Sequence, residues 1–200
     1  RAAQAGLRVV VVEKADKLGG TSAAGGGVIW APANHLAATA GYQDSVQDGV
    51  EYLTAAAGDI MSDDDIAWYV RTSGAAIKFL DEHTRVKLSP LSRPDYHMEW
   101  PGAAAGGRSL DNAAFRANDY PDIADVMRQP TYFPLLTMVE RDDLNGRAPD
   151  PRLLSDRTAQ GVRTMGGALV GSLTASALDA GVHIALAAPV THLERGTDGW

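Results

Sequence analysis

Four valines in succession, in "LRVVVVE" over residues 7–13, show neither the alternation of a half-exposed strand nor the spacing of an amphipathic helix. Such a run predicts a strand buried on both faces, as in the parallel sheet of an α/β protein. The residues before it, "RAAQAG", predict the last turns of a helix that Gly6 ends in the left-handed conformation. The same order returns late in the chain. Residues 161–181, "GVRTMGGALVGSLTASALDAG", predict a helix with Leu169, Val170, Leu173, Ala177 and Leu178 along its apolar face and Gly181 as its stop. "VHIALAA" then predicts a second buried strand, and "VTHLERGTDGW" half of a hairpin. Helix, glycine turn and apolar strand thus occur twice, which implies an α/β fold.

Between these ends the pattern changes. "SVQDGVEYLTAAAG" has helical character, and "SDDDIAWYVRTSGAAIKFLDEH" has it more clearly. Ser62 supplies a cap, the aspartates after it favour the positive end of the helix dipole, and Ile66, Val70, Ile77 and Leu80 recur on one face, which predicts core packing. Over residues 84–160, prolines at 90, 94, 101, 121, 130, 134, 149 and 151 exclude long helices from most of the stretch. Tyr96, Trp100, Tyr120, Tyr132 and Phe133 make it too aromatic for a disordered linker. It is expected to be an irregular folded cap with a few short strands. The organisation implied is residues 1–60, then a cap over 61–160, then a return to the first domain over 161–200. Gly166, Gly167 and Gly171 inside the last helix are each unfavourable by about 1 kcal/mol relative to alanine. Either that helix starts late or its first turn is built for close approach.

Composition narrows the function classes. The chain is 45% hydrophobic and 22% charged with a net charge of −7, and no apolar run is long enough to span a bilayer. An acidic balance argues against a nucleic-acid partner. Cysteine is absent, and the five histidines show no i, i+4 pairing, so no metal site is expected. Starting at Arg1, in the middle of a helix pattern, the sequence reads as an internal piece of a longer protein. Cytoplasmic location is the default for such a composition.

Glu13 closes the first valine strand, where a dinucleotide-binding βαβ unit places the acid that accepts the ribose hydroxyls. The glycine fingerprint of that unit belongs about 20 residues earlier, before Arg1. The segment that begins at Glu13 is more specific. "EKADKLGGTSAAGGGVIW" resembles the segment after the second strand in flavoproteins of the fumarate reductase and succinate dehydrogenase type. Within that superfamily it is most similar to the 3-ketosteroid dehydrogenases, densely over residues 7–34. The resemblance continues more loosely through "PLSRPDYHMEWPGAAAGGRSLD" and "RTMGGALVGSLTASALDAGVHI".

The resemblance implies a partial Rossmann-like FAD-binding domain interrupted by a substrate-binding cap, α/β with an α+β cap. Gly20, Gly25, Gly26 and Gly27 lack a Cβ, so their amides could approach a pyrophosphate and a flat ring closely, with Thr21 and Ser22 adding hydroxyl donors. By the resemblance Glu13 binds the adenosine ribose with Lys14 beside it, and Val190 touches the adenine. The implied reaction passes a hydride from a steroid-like ketone to the flavin, while tyrosines handle the proton and polarise the ketone oxygen. Tyr96 is the tyrosine of this segment that matches, in an assisting role.

The implied substrate is apolar and flat; the electron acceptor is not indicated. One alternative is reduction of fumarate or another activated alkene, for which His97 and Arg108 are candidate dicarboxylate ligands. Against it, both are expected to be ordinary solvent-facing residues. A nicotinamide-binding module, and a truncated piece with no catalysis of its own, are the readings of other classes.

Overall fold

The computed structural model describes residues 1–130 and 133–196. Tyr132, and the end of the expected hairpin beyond residue 196, lie outside the described residues. A short 3₁₀ turn over Ala3–Ala5 ends at Gly6 with φ of 82°, and strand β1, Val10–Val12, follows. Next come a five-residue helix α1, Gly20–Ala24, strand β2, Ile29–Trp30, and helix α2, His35–Thr39. The two predicted helices form as α3, Val46–Ala57, and α4, Asp63–His83. Ser45 and Ser62 cap them by accepting the amides of Asp48 and Asp65. Ile66, Val70 and Ile77 of α4 are buried and Leu80 is partly so, as their spacing requires.

The proline-rich stretch contains only short elements. They are β3, Leu88–Pro90, β4, Ser109–Asn112, β5, Phe115–Arg116, α5, Pro121–Ala124, α6, Met138–Leu144, and α7, Pro151–Ala159. Pro121 and Pro151 open α5 and α7, where a missing N–H is harmless. Strand β6, Val162–Arg163, leads into helix α8, Met165–Asp179, and strand β7, His183–Ala185, completes the order.

Strands β1 and β7 pair in parallel, Val10 with His183 through Val12 with Ala185. The glycine-turn repeat of the sequence thus becomes two neighbouring parallel strands, the mark of an α/β unit. Burial on both faces, however, does not hold. Val10, Val11 and Val12 are 60%, 44% and 48% exposed, and β7 is exposed at His183 and only partly buried after it. A strand with one paired neighbour has little to cover it; its apolar run says what it can pack against, not what is present. A second sheet, antiparallel in the order β2-β4-β3, joins the early segment to the proline-rich stretch.

Helix α8 also departs from expectation. Its buried face is Gly166, Gly167, Ala168, Gly171, Ser172, Thr174 and Ala175, while Leu173 and Leu178 are exposed. Small residues line the contact because backbone and rings press against them. A Cβ on Gly166 would overlap the carbonyl oxygen of Ser22 in α1, and one on Gly171 would stand 2.5 Å from the Phe115 ring. The helix starts at Met165, so its early glycines serve close approach. Phe115, Ile123 and Met127 pack with Ala168 and Ala175 of this face. Among the described residues no helix is long and apolar enough to cross a membrane.

Candidate cofactor and substrate site

The stretch "GGTSAAGGGVIW" is a helical turn followed by an open loop and a strand. Gly19, with φ of 109°, precedes α1, and Gly20, with φ of 49°, begins it. The first amides of a helix have no acceptor within it, and those of Thr21 and Ser22 find none elsewhere among the described residues. Both side chains are exposed, and neither hydroxyl is hydrogen-bonded within the described residues. Gly20 faces open space, with no atom within 4 Å of where a Cβ would stand.

The other glycines divide their roles. The Gly25 N–H donates to Thr21 O at 3.0 Å, and its carbonyl accepts the Gly166 N–H at 3.2 Å. Gly27, with φ of 64°, lies against Gly166 so closely that a Cβ would overlap it, and its carbonyl accepts Asn112 Nδ2 at 2.7 Å. These contacts fasten the loop to α8 and β4. The amides of Gly26 and Gly27 have no acceptor among the described residues. The loop therefore presents unengaged N–H groups from a backbone held in place, which suits an anionic or carbonyl-bearing ligand.

Glu13 stands at the C-terminal end of β1, where α/β sheets bind ligands. Its N–H donates to Ala185 O at 2.9 Å, and its carbonyl accepts the Ala188 N–H at 2.8 Å. The carboxylate accepts the Ala15 N–H through Oε1 at 2.8 Å; Oε2 has no partner among the described residues and can accept a hydroxyl. These bonds bring the segment after β7 alongside Glu13, and Val190, 60% exposed, follows two residues on. Lys14 is exposed beside it.

Directly after the glycine loop lies a cavity of about 530 Å³, lined chiefly by Val28, Trp30, Tyr52, Leu91, Tyr96 and Met138. Met138 joins the two regions, since its Cε would lie 3.5 Å from a Cβ on Gly26. Tyr96 is at the rim, 99% exposed, with its hydroxyl free among the described residues. Arg93, also lining the cavity, is bound by both oxygens of Asp142, at 2.8 and 2.5 Å, which raises its pKa above the ordinary guanidinium value.

Arg108 corrects the expectation of a solvent-facing arginine: it is 1% exposed. Its Nε and Nη2 reach Asp44, Nη2 also reaches Gly102 O at 2.8 Å, and Nη1 reaches Asp95 Oδ2 at 2.7 Å. Burial opposes its charge, but the paired Asp44 and Asp95 outweigh that, and its pKa lies above the usual value. With each nitrogen engaged, Arg108 is not available to clamp a dicarboxylate. His97 is half-exposed, as expected, stacked on Trp100 with centroids 3.9 Å apart and bonded through Nδ1 to Glu99 at 2.9 Å. Asp44, Tyr52, Asp95 and Met138 carried no local signal, because chain segments far apart in sequence bring them together. Arg108, a lone charge in "AAAGGRSL", was the visible hint.

An acid at a strand end, a glycine loop with open amides and an adjoining apolar cavity could hold a nucleotide beside an apolar ligand. The family described as FAD binding domain matches residues 1–199. This chain belongs to that family. FAD is accordingly its cofactor, and the chain is related to the 3-ketosteroid dehydrogenases. It is 37% identical over 190 residues to 4-oxocyclohexanecarboxylate 2-dehydrogenase of Sinomonas cyclohexanicum, covering 94% of this chain and 33% of that protein. It is 31% identical to 3-oxosteroid 1-dehydrogenase of Mycolicibacterium smegmatis, covering 96% of this chain and 37% of the relative. The FAD-binding chain thus spans about a third of the length of these relatives. In structure it is similar to 3-ketosteroid Δ1-dehydrogenase from Sterolibacterium denitrificans in complex with 1,4-androstadiene-3,17-dione. That match has a TM-score of 0.87 and 26% identity, over 98% of this chain and 38% of the other.

Proposed function

We propose that this chain is the FAD-holding part of an enzyme that desaturates a C–C bond beside the ketone of a flat alicyclic substrate, of the 3-ketosteroid kind. The observation that carries the proposal is the apolar cavity bordering the glycine loop, with Tyr96 at its rim. The named activities of the relatives, on oxosteroids and an oxocyclohexanecarboxylate, supply the chemistry. In this reading residues 1–60 and 161–200 hold the cofactor and residues 61–160 form the cap.

The free amides and hydroxyls of Thr21 and Ser22 and the amides of Gly26 and Gly27 fit the pyrophosphate and ring of FAD, with Gly20 leaving room for it and Gly25 holding the turn in place. Glu13 offers Oε2 to the ribose, Lys14 lies beside it, and Val190 covers the adenine. FAD supplies a two-electron acceptor for hydride. Trp30, Tyr52 and Met138 keep water from the face of the substrate, which strengthens polar contacts made there. Tyr96 holds a hydroxyl where it can hydrogen-bond a proton-abstracting base, so its role is assisting.

Titrating the chain with FAD tests the reading. Yellow protein at close to one flavin per chain, with flavin fluorescence quenched, is expected. Stabilisation by a nicotinamide dinucleotide but not by FAD would overturn it. Adding 4-androstene-3,17-dione should then perturb tryptophan emission, through Trp30.

A further inference from the structure

We propose that Asp95 is a positioning residue for the cavity: it fixes the orientation of the Trp30 indole and thereby the slot that a flat ring enters. The substrate part of this inference rests on the reading of the cavity as a ketone site; the positioning part does not.

The two oxygens of Asp95 do different things. Oδ1 accepts the Trp30 Nε1–H at 2.8 Å, while Oδ2 accepts Arg108 Nη1 at 2.7 Å and the Ala104 N–H at 2.9 Å. The main chain is held as well, since the Asp95 N–H donates to Ala104 O at 3.0 Å. Asp95 is buried, so swinging it away would leave the Arg108 charge without one of its two carboxylates in a dry interior. The carboxylate is thereby a fixed acceptor.

An indole has one donor and no acceptor. Trp30 is part-buried, and turning its ring away from Asp95 would give up a hydrogen bond to an ionised, fixed acceptor, the stronger kind of hydrogen bond. The orientation toward Asp95 is favoured. Behind the wall, the Arg108 guanidinium lies 5.7 Å from the Trp30 ring centre and 5.6 Å from that of Tyr52, and the two rings are 6.0 Å apart at 36°. Trp30, Tyr52 and Asp95 all line the cavity, and Tyr96 is the next residue along. A single buried anchor thus sets the aromatic wall and the main chain from which Tyr96 projects.

The test uses the chain with the steroid ketone 4-androstene-3,17-dione as probe. Trp30 emission is isolated by subtracting the spectrum of the same chain carrying Trp30→Phe. Asp95→Ala is expected to red-shift that emission, to expose Trp30 to acrylamide quenching and to weaken the probe about tenfold, the free-energy equivalent of about 1.4 kcal/mol. Ile123→Val, in the separate cluster around Phe115, lowers stability and is expected to move neither the emission nor the probe affinity.

Unchanged Trp30 emission and probe affinity in Asp95→Ala overturn the proposal. If Asp95→Ala does not fold, Trp30→Phe carries the test, because it removes the donor and leaves Asp95 on Arg108. A tenfold loss of probe affinity is then expected, and a loss within twofold overturns the proposal. A parent chain that takes up no ketone overturns the substrate reading, while the Trp30 emission of the variants still judges the role of Asp95.

Discussion

Arg108 lies between two buried carboxylates, and the cost of replacing it is set by the charges it would leave behind. Arg108→Met removes the cation but leaves Asp44 and Asp95 buried, and breaking such a pair from one side costs about 3–5 kcal/mol. Arg93→Met, which breaks a half-exposed pair with Asp142, is expected to cost at most about 1 kcal/mol. Urea unfolding of the two variants measures the difference. Glu140 gives a pH-dependent counterpart. Hydrogen bonds from Arg157 hold its carboxyl below the ordinary range, burial works the other way, and the Thr137 amide helps to lower it. A depressed pKa in the fold contributes stability that is present above the unfolded value, about 4.3 for a glutamate, and is lost as pH falls through the folded value. The stability gap between the chain and Arg157→Gln should therefore be larger at pH 7 than at pH 3. An equal gap at both pH values would remove the ion pair as its source.

Among the elements, the joint between α1 and α8 depends on glycines that face each other. Gly166→Ala drives a methyl into the Ser22 carbonyl, a backbone atom that cannot step aside, and overpacking of this kind costs about 1–3 kcal/mol or more. Because α1 carries Thr21 and Ser22, the same substitution is expected to weaken FAD binding. Gly20→Ala meets open space but keeps a left-handed φ of 49°, so its cost is limited to about 1–2 kcal/mol of backbone strain. Thermal unfolding and flavin fluorescence titration of both variants separate packing from binding. The same joint shows what was legible in the sequence. Helices α3 and α4 were, α4 the more clearly, because the Ser62 cap and recurrent large side chains are local signals. The buried face of α8 was not. There Leu173 and Leu178 are the outward ones and most of the contact is made by glycine, alanine and serine, whose reason is the neighbouring backbone and the Phe115 ring. The unfavourable glycines were the clue, and they signalled close approach without naming Ser22 or Phe115 as the partner.

For the molecule as a whole, the glycine loop after Glu13 was readable and the wall of the adjoining cavity was not. Glu13 and the glycine loop lie within one short stretch of chain, whereas the wall is assembled from Trp30, Tyr52, Asp95 and Met138, with Arg108 behind it, across more than a hundred residues. Exposure of the β1 valines was hidden for a related reason, since burial is decided by neighbours and not by the strand itself. The pairing of β1 with β7 leads to one more expectation. Glu13 ends one strand and Val190 comes after the other, so a ligand held by both binds the folded pair and not the unfolded chain. Free FAD at a hundred times its Kd should then raise the unfolding free energy by about 2.7 kcal/mol. Glu13→Ala, which leaves the strand backbone pairing intact, should give the same rise only at a higher FAD concentration. Urea unfolding across an FAD series measures both, and a Glu13→Ala chain that tracks the parent at every concentration would take Glu13 out of the ribose site.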